Sequence, residues 1–195
     1  MNEDGHRFVD ESISYKLLGD AVMAQPNHVA YQILDQTIFD TGDNRIRIMD
    51  FERRLEEGLF YVARSLEELA AQLEVDPAVL KATVDRYNED VTRGEDTVFG
   101  RHHLVHHHGE PCRIESPPFY AYPSTAVVFG TYCGLRIDSS ARVIDVFDAP
   151  IPGLYAAGEV TGGFHGAAYM TGSALGKAVV FGKIFSDRLA EGLRS

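Results

Sequence analysis

The apolar positions of this chain change period part-way along, and the change divides it in two. Leu80, Val84, Tyr87 and Val91 recur at i, i+4, i+7 and i+11, the spacing of one buried stripe on an α-helix. Asp76 and Pro77 open that helix, the first as an N-cap and the second where its missing N–H costs nothing. Gly94 stops it. Upstream, Ser65-Leu66-Glu67-Glu68 has the form of a capping box and predicts a short helix with Leu66, Leu69, Ala70 and Leu73 on its apolar face. Residues 14–24 read as a helix interrupted by Gly19, and 29–34 as a strand after Pro26-Asn27. Residues 94–118 have no period and carry prolines and histidines, which predicts a surface connection. Beyond them the pattern shortens. Residues 126–128, 134–138 and 142–145 are β-branched or alternating, and the last two suggest a hairpin across Ser139-Ser140. Leu154-Tyr155-Ala156-Ala157 predicts a short buried strand, 158–172 is rich in glycine, and 173–191 is a helical run.

Length and charge narrow the class. At 195 residues, 45% hydrophobic, the chain can form one substantial core or two small ones. A net charge of −11 argues against nucleic-acid binding, which needs a basic face. No apolar run approaches a membrane span, and the polar start MNEDGHRFVDES does not read as a signal peptide. The isolated Cys112 and Cys133 form neither a disulfide framework nor a metal pair, so a reducing cytoplasm is the expected setting. His102, His103, His106, His107 and His108 are spaced for shared metal binding on a helix, but their Pro, Gly and polar neighbours favour a solvated loop, and no metal site is expected.

The stretch 150–184 carries the chemistry. It reads as a strand, a turn with an acidic tip at Glu159, a glycine loop and a helix. Ala156, Ala157 and Gly158 permit close backbone approach to a flat ligand. Glu159 falls just beyond the strand's carboxyl end, where open α/β sheets bind ligands. A helix starting at Ser173 presents unpaired N–H groups and a positive dipole end, suited to an anion.

The run G-L-Y-A-A-G-E-V-T-G-G-x-H-G-A resembles the signature of FAD-dependent flavoproteins of the fumarate reductase/succinate dehydrogenase type. NEDGHRFVDES is similar to that family's entry into its capping domain, SLEELAAQLEVDPAVLKATVDRYNEDVTRG to its cap helices, and SPPFYAYPSTAVVFGTYCGLRID to its return to the flavin domain. The resemblance implies an α/β fold, with an α+β capping domain over 1–118 and the C-terminal portion of a Rossmann-like FAD-binding domain over 119–195. It implies FAD as cofactor. Glu159 would bond a ribityl hydroxyl, Gly130 would lie against the isoalloxazine ring, and Gly158 and Ser173 would belong to the same cofactor wall. Ala174 and Leu175 would offer N–H groups to the pyrimidine edge.

Two departures qualify the resemblance. No two of the 18 glycines are separated by a single residue, so the G-x-G-x-x-G that cradles the pyrophosphate, and with it the N-terminal dinucleotide-binding half, is absent. Another chain supplying that half is an expected partner. The second departure is the substrate site. Tyr15 stands at the position of the family's proton-donating arginine, Tyr169 replaces the arginine of H-G-A-N-R, and Phe129 replaces the histidine of H-H-T-M-G-G. Without that clamp a dicarboxylate is poorly held. DESISY and Tyr169-Met170-Thr171-Gly172 resemble instead segments of ketosteroid dehydrogenases, where tyrosines act as base and at the substrate carbonyl.

The expected function is FAD-dependent interconversion of a C–C single and double bond beside a carbonyl, on a small enone-type substrate. Tyr15 and Tyr169 would be catalytic, with Phe129, Thr171 and Gly172 against the substrate. The alternatives are a fumarate-reductase-like enoate reductase with Lys16 or Arg7 as acid, and a non-catalytic remnant or assembly subunit without FAD. His165 is expected to shape the glycine loop, and Cys133 to pack.

Overall fold

The computed structural model describes residues 1–104, 109–128, 130–166 and 169–192. The chain forms two compact units of mixed helix and strand, Met1–Val127 and Val128–Ser195. Among the described residues no helix is long and apolar enough to cross a membrane.

In the first unit, helix α1 (Tyr15–Met23) starts behind Ser14, whose hydroxyl accepts a long bond from the Leu17 N–H. It passes through Gly19 unbroken, because one glycine costs a helix only about 1 kcal/mol. Strand β1 (Ala30–Leu34) leads into the one-turn helix α2 (Gln36–Phe39), then α3 (Phe51–Glu56) and β2 (Tyr61–Ala63). Helix α4 (Leu66–Gln72) is capped as its sequence predicts, the Ser65 hydroxyl accepting from the Glu68 N–H at 3.2 Å. The return bond differs: Glu68 accepts from the Arg64 N–H, one residue before the expected partner. Helix α5 (Pro77–Arg93) has Asp76 as its cap and ends at Gly94 in the left-handed conformation.

Strand β3 (Phe119–Ser124) lies between β1 and β2 in a three-stranded antiparallel sheet, with Leu34 opposite Tyr120 and Ala63 opposite Phe119. This pairing keeps 119–124 with the first unit, and the compact units divide at Val127/Val128. Leu69 of α4, its C-cap residue Leu73, and Leu80 and Val84 of α5 pack with Ala63, Phe119 and Ala121 of the sheet. Buried Asp35 joins β1 to the segment before β3. One of its oxygens caps α2 at Ile38, and the other accepts from the N–H groups of Glu115 and Ser116 at 3.0 and 2.9 Å.

Arg7 fastens the start of the unit to the turn after α5. Its guanidinium donates two bonds to Glu11 and two to Asp96, and lies over the rings of Tyr87 and Phe99. Burial opposes the Arg7 charge, but the bonds to Glu11 and Asp96 outweigh it and hold the cation above its usual range. Burial would likewise raise the Asp96 carboxyl. The bonds from Arg7 and from the N–H groups of Val98, Phe99 and Arg101 reverse that and hold it well below the carboxylate range. A folded-state value below the unfolded one gives stability that is complete above the ordinary aspartate value of about 3.9 and fades as pH falls below it. Asp96→Asn is therefore expected to lower the urea midpoint at neutral pH and to flatten its decline between about pH 4 and pH 2.

The second unit begins with an irregular segment and a two-stranded antiparallel sheet of β4 (Arg142–Ile144) and β5 (Pro150–Tyr155). The hairpin expected between 134–138 and 142–145 forms as a single antiparallel bridge, Ile137 to Val143, flanked by bonds from the Asp138 N–H to the Arg142 carbonyl and from the Ile144 N–H to the Arg136 carbonyl, while β4 pairs with β5 on its other edge. The expected burial at Leu154 and Tyr155 is not observed: they are 43% and 40% exposed. Among the described residues β5 is covered by a strand on one edge only. Helix α6 (Ser173–Gly192) completes the unit, matching the run read from sequence.

Candidate functional site

The acidic tip of the glycine stretch is built by backbone geometry. Gly158 has φ +78°, which turns the chain out of β5 into the 3₁₀ turn Gly158–Val160 and projects Glu159. Thr161 closes this turn, its N–H and hydroxyl both donating to the Gly158 carbonyl, at 3.1 and 2.7 Å. Gly134 and Gly162 then pack backbone against backbone. A Cβ added to either would stand 2.4 Å from an atom of the opposing chain, so both must be glycine. The Leu135–Thr161 bridge runs through this contact.

That contact sets Glu159 beside Thr131. One carboxylate oxygen accepts from the Thr131 N–H at 2.7 Å and from its hydroxyl at 3.2 Å. The Thr131 N–H and then its hydroxyl lower the Glu159 carboxyl below the ordinary glutamate range, assisted by the charges of Lys177 and His165. Glu159 is thus an anion with one oxygen committed. Its other oxygen accepts no bond among the described residues. A Cβ on Gly130 would approach the committed oxygen to 3.2 Å, so the glycine keeps this side of the carboxylate open.

A second group of residues gathers before α6. The His165 ring meets those of Tyr132, Phe164 and Tyr169, at 5.4, 5.4 and 5.2 Å between centroids. Ser173 places its hydroxyl between His165 Nδ1 and the Met170 carbonyl, and its N–H also donates to Met170. Both Ser173 donors are therefore engaged within the loop. The first bond within α6 is from Gly176 to Gly172, which leaves the Ala174 and Leu175 N–H groups without a described acceptor. These are the two N–H groups that the family resemblance assigns to the cofactor's pyrimidine edge. Thr171 and Gly172 form the exposed turn preceding the helix, Gly172 at φ +88°.

Tyr15 belongs to the first unit, at the first residue of α1, and is 65% exposed. Phe129 and His106, His107 and His108 fall outside the described residues. Cys133 is exposed, since the close packing at this point is made by its neighbour Gly134. Tyr120 is core, stacked on Phe39. Arg7 is saturated by carboxylates, which removes it as an alternative acid.

Sequence reasoning missed Thr131 and Lys177. Thr131 is 28 residues from Glu159, and no local pattern links them. Lys177 is 2% exposed and donates to the Thr161 carbonyl at 3.0 Å, tying α6 to the glycine turn. A lysine one turn into a helix and beside a glycine reads as surface, and no local pattern signals its burial.

Comparison with known proteins decides the family, because the model described as an FAD binding domain matches residues 1–175. This chain belongs to the FAD-binding-domain family. An NADH:acrylate oxidoreductase of Vibrio harveyi is 37% identical over 98% of the chain and 18% of its own length. The open conformation of a flavocytochrome c3 fumarate reductase is similar at 34% identity and TM-score 0.77, over 98% of the chain and 32% of that protein. A 3-ketosteroid delta1-dehydrogenase of Sterolibacterium denitrificans, solved with 1,4-androstadiene-3,17-dione, is similar at 30% identity and TM-score 0.75, over 98% and 38%. The chain thus spans between 18% and 38% of the length of these relatives.

The described residues fit part of the family's cofactor. A Glu159 carboxylate with one oxygen open among the described residues suits a polyol hydroxyl, and two N–H groups at a helix start with no acceptor among the described residues suit an electron-rich heterocycle edge. The pyrophosphate cradle has no counterpart among the 18 glycines.

Proposed function

We propose that the chain forms the substrate-side and flavin-side portion of an FAD-dependent oxidoreductase that interconverts C–C single and double bonds beside a carbonyl. The observation that carries this reading is the second unit's pairing of an anchored Glu159 and the open Ala174 and Leu175 N–H groups with a tyrosine in the same loop. Gly130, Gly158 and Glu159 would hold the cofactor's ring and ribityl chain, with Ala174 and Leu175 at the pyrimidine edge and Ser173 as anchor of the loop. Bound FAD would supply a two-electron carrier of hydride. Tyr169 would donate a hydrogen bond to the substrate carbonyl and stabilise the enolate oxygen as the neighbouring proton leaves; Tyr15, reacting as its phenolate, would take that proton and become the phenol. Phe129, Thr171 and Gly172 border the substrate. A small-molecule carbonyl or enone substrate with a large apolar body, a cytoplasmic setting, and a second polypeptide carrying the G-x-G-x-x-G half belong to the same reading.

A ketosteroid-type substrate is favoured by the tyrosines at positions 15 and 169 and by the likeness to the steroid-bound dehydrogenase. A fumarate-reductase-like activity is supported by the similarity to the flavocytochrome. Turnover of a 3-ketosteroid and of fumarate, measured with FAD and the fingerprint-bearing polypeptide, separates the two. Fumarate reduction without steroid turnover would overturn the tyrosine reading, and failure to retain any flavin would favour a non-catalytic role. Glu159→Gln keeps the shape but loses the charge, and is expected to weaken FAD binding about tenfold by fluorescence titration.

A further inference from the structure

We propose that His165 is a positioning residue for Tyr169, locked by Ser173 in the form that carries its proton on Nδ1; this rests on the reading of Tyr169 given above. The Ser173 Oγ lies 2.5 Å from the Met170 carbonyl oxygen. A carbonyl has no proton to give, so the Ser173 hydroxyl fills that contact with the single proton it owns. The same Oγ lies 3.1 Å from His165 Nδ1. With its proton spent, Oγ can only accept there, and Nδ1 must donate. The neutral ring therefore keeps its lone pair on Nε2. Because Nδ1 carries hydrogen in the charged form as well, the bond to Ser173 survives protonation of the ring.

Ser173 is the first residue of the long helix α6, and its N–H also donates to Met170 at 3.0 Å. The helix start is thus bonded to both His165 and Met170, one on either side of Tyr169. The ring of Tyr169 meets that of His165 at 5.2 Å and 54°, and Tyr132 and Phe164 contact the imidazole at 46° and 88°. Glycines at 162, 163 and 166 give this segment little stiffness of its own. The imidazole supplies it, by transmitting the order of α6 to the tyrosine ring.

Two measurements test this. The ¹⁵N–¹H ring correlation spectrum of the full chain is expected to show His165 protonated at Nδ1, and Ser173→Ala is expected to release it to the ordinary mixture of forms. A ring protonated at Nε2 in the parent chain would overturn the proposal whether or not turnover is observed. The second arm uses steady-state turnover of a 3-ketosteroid with FAD and the fingerprint-bearing polypeptide. Asn places a donor where Nδ1 stood and Gln places one where Nε2 stood. His165→Gln is expected to lower kcat about tenfold with KM within twofold, while His165→Asn recovers most of that loss. Equal loss in the two variants would overturn the proposal. In a Tyr169→Phe background the difference between them is expected to vanish. Failure of the Tyr169 reading would appear separately, as unchanged turnover in Tyr169→Phe alongside an intact Nδ1–H signal.

Discussion

Replacing Tyr15 by Phe is expected to lower kcat for a 3-ketosteroid by about 10²–10⁴-fold, the range that a positioned acid–base group contributes. The substitution removes one oxygen and little else. Tyr15 begins α1 behind the Ser14 cap, which uses the backbone and the Ser14 hydroxyl, so the helix start does not depend on the phenol. The ring is 65% exposed in the chain and contributes little to the core. Folding and FAD affinity should therefore hold, and steady-state kinetics beside a thermal melt would separate chemistry from stability. An undiminished rate would move the proton to another group. Lys16 would then be the next candidate: it is exposed and, among the described residues, paired with Asp20 at 2.9 Å, a surface pair that constrains it weakly.

Tyr169→Phe is expected to cost about 10²–10³-fold, the loss seen when one donor to a developing oxyanion is removed. Here kcat and kcat/KM should fall together, because the hydrogen bond strengthens as charge builds on the carbonyl oxygen. The Phe ring keeps the contact with His165, so the loop should stay in place. A change in KM alone would mean that Tyr169 binds substrate without serving the transition state.

What the sequence made legible follows from range. The caps of α4 and α5, the left-handed Gly94 and the start of α6 depend on neighbours within a turn, and each was readable from residue order. The first-turn placement of Ala174 and Leu175 followed from the same local logic, while their assignment to a cofactor came from the family resemblance. Pairings between distant segments were not readable. Nothing in FYAYPS says that it lies between β1 and β2, and nothing in Thr131 says that it anchors Glu159. The exposed β5 is a different kind of miss. Its apolar residues record a buried environment, while the described chain supplies only one neighbouring strand.

The placement of β3 also has a kinetic meaning. Its partners in β1 lie about 90 residues back, Ala30 opposite Ser124, and those in β2 about 60 back, Tyr61 opposite Ala121. Among the described residues β1 and β2 pair through β3, so that sheet waits until the chain has been made past residue 124. During synthesis α4 and α5 can form early on local contacts, but the apolar face they present waits for Phe119 and Ala121. A chain cut at 118 would leave two lone strands and an uncovered helix pair, prone to aggregate. One cut after Val127 would keep the whole cooperative unit.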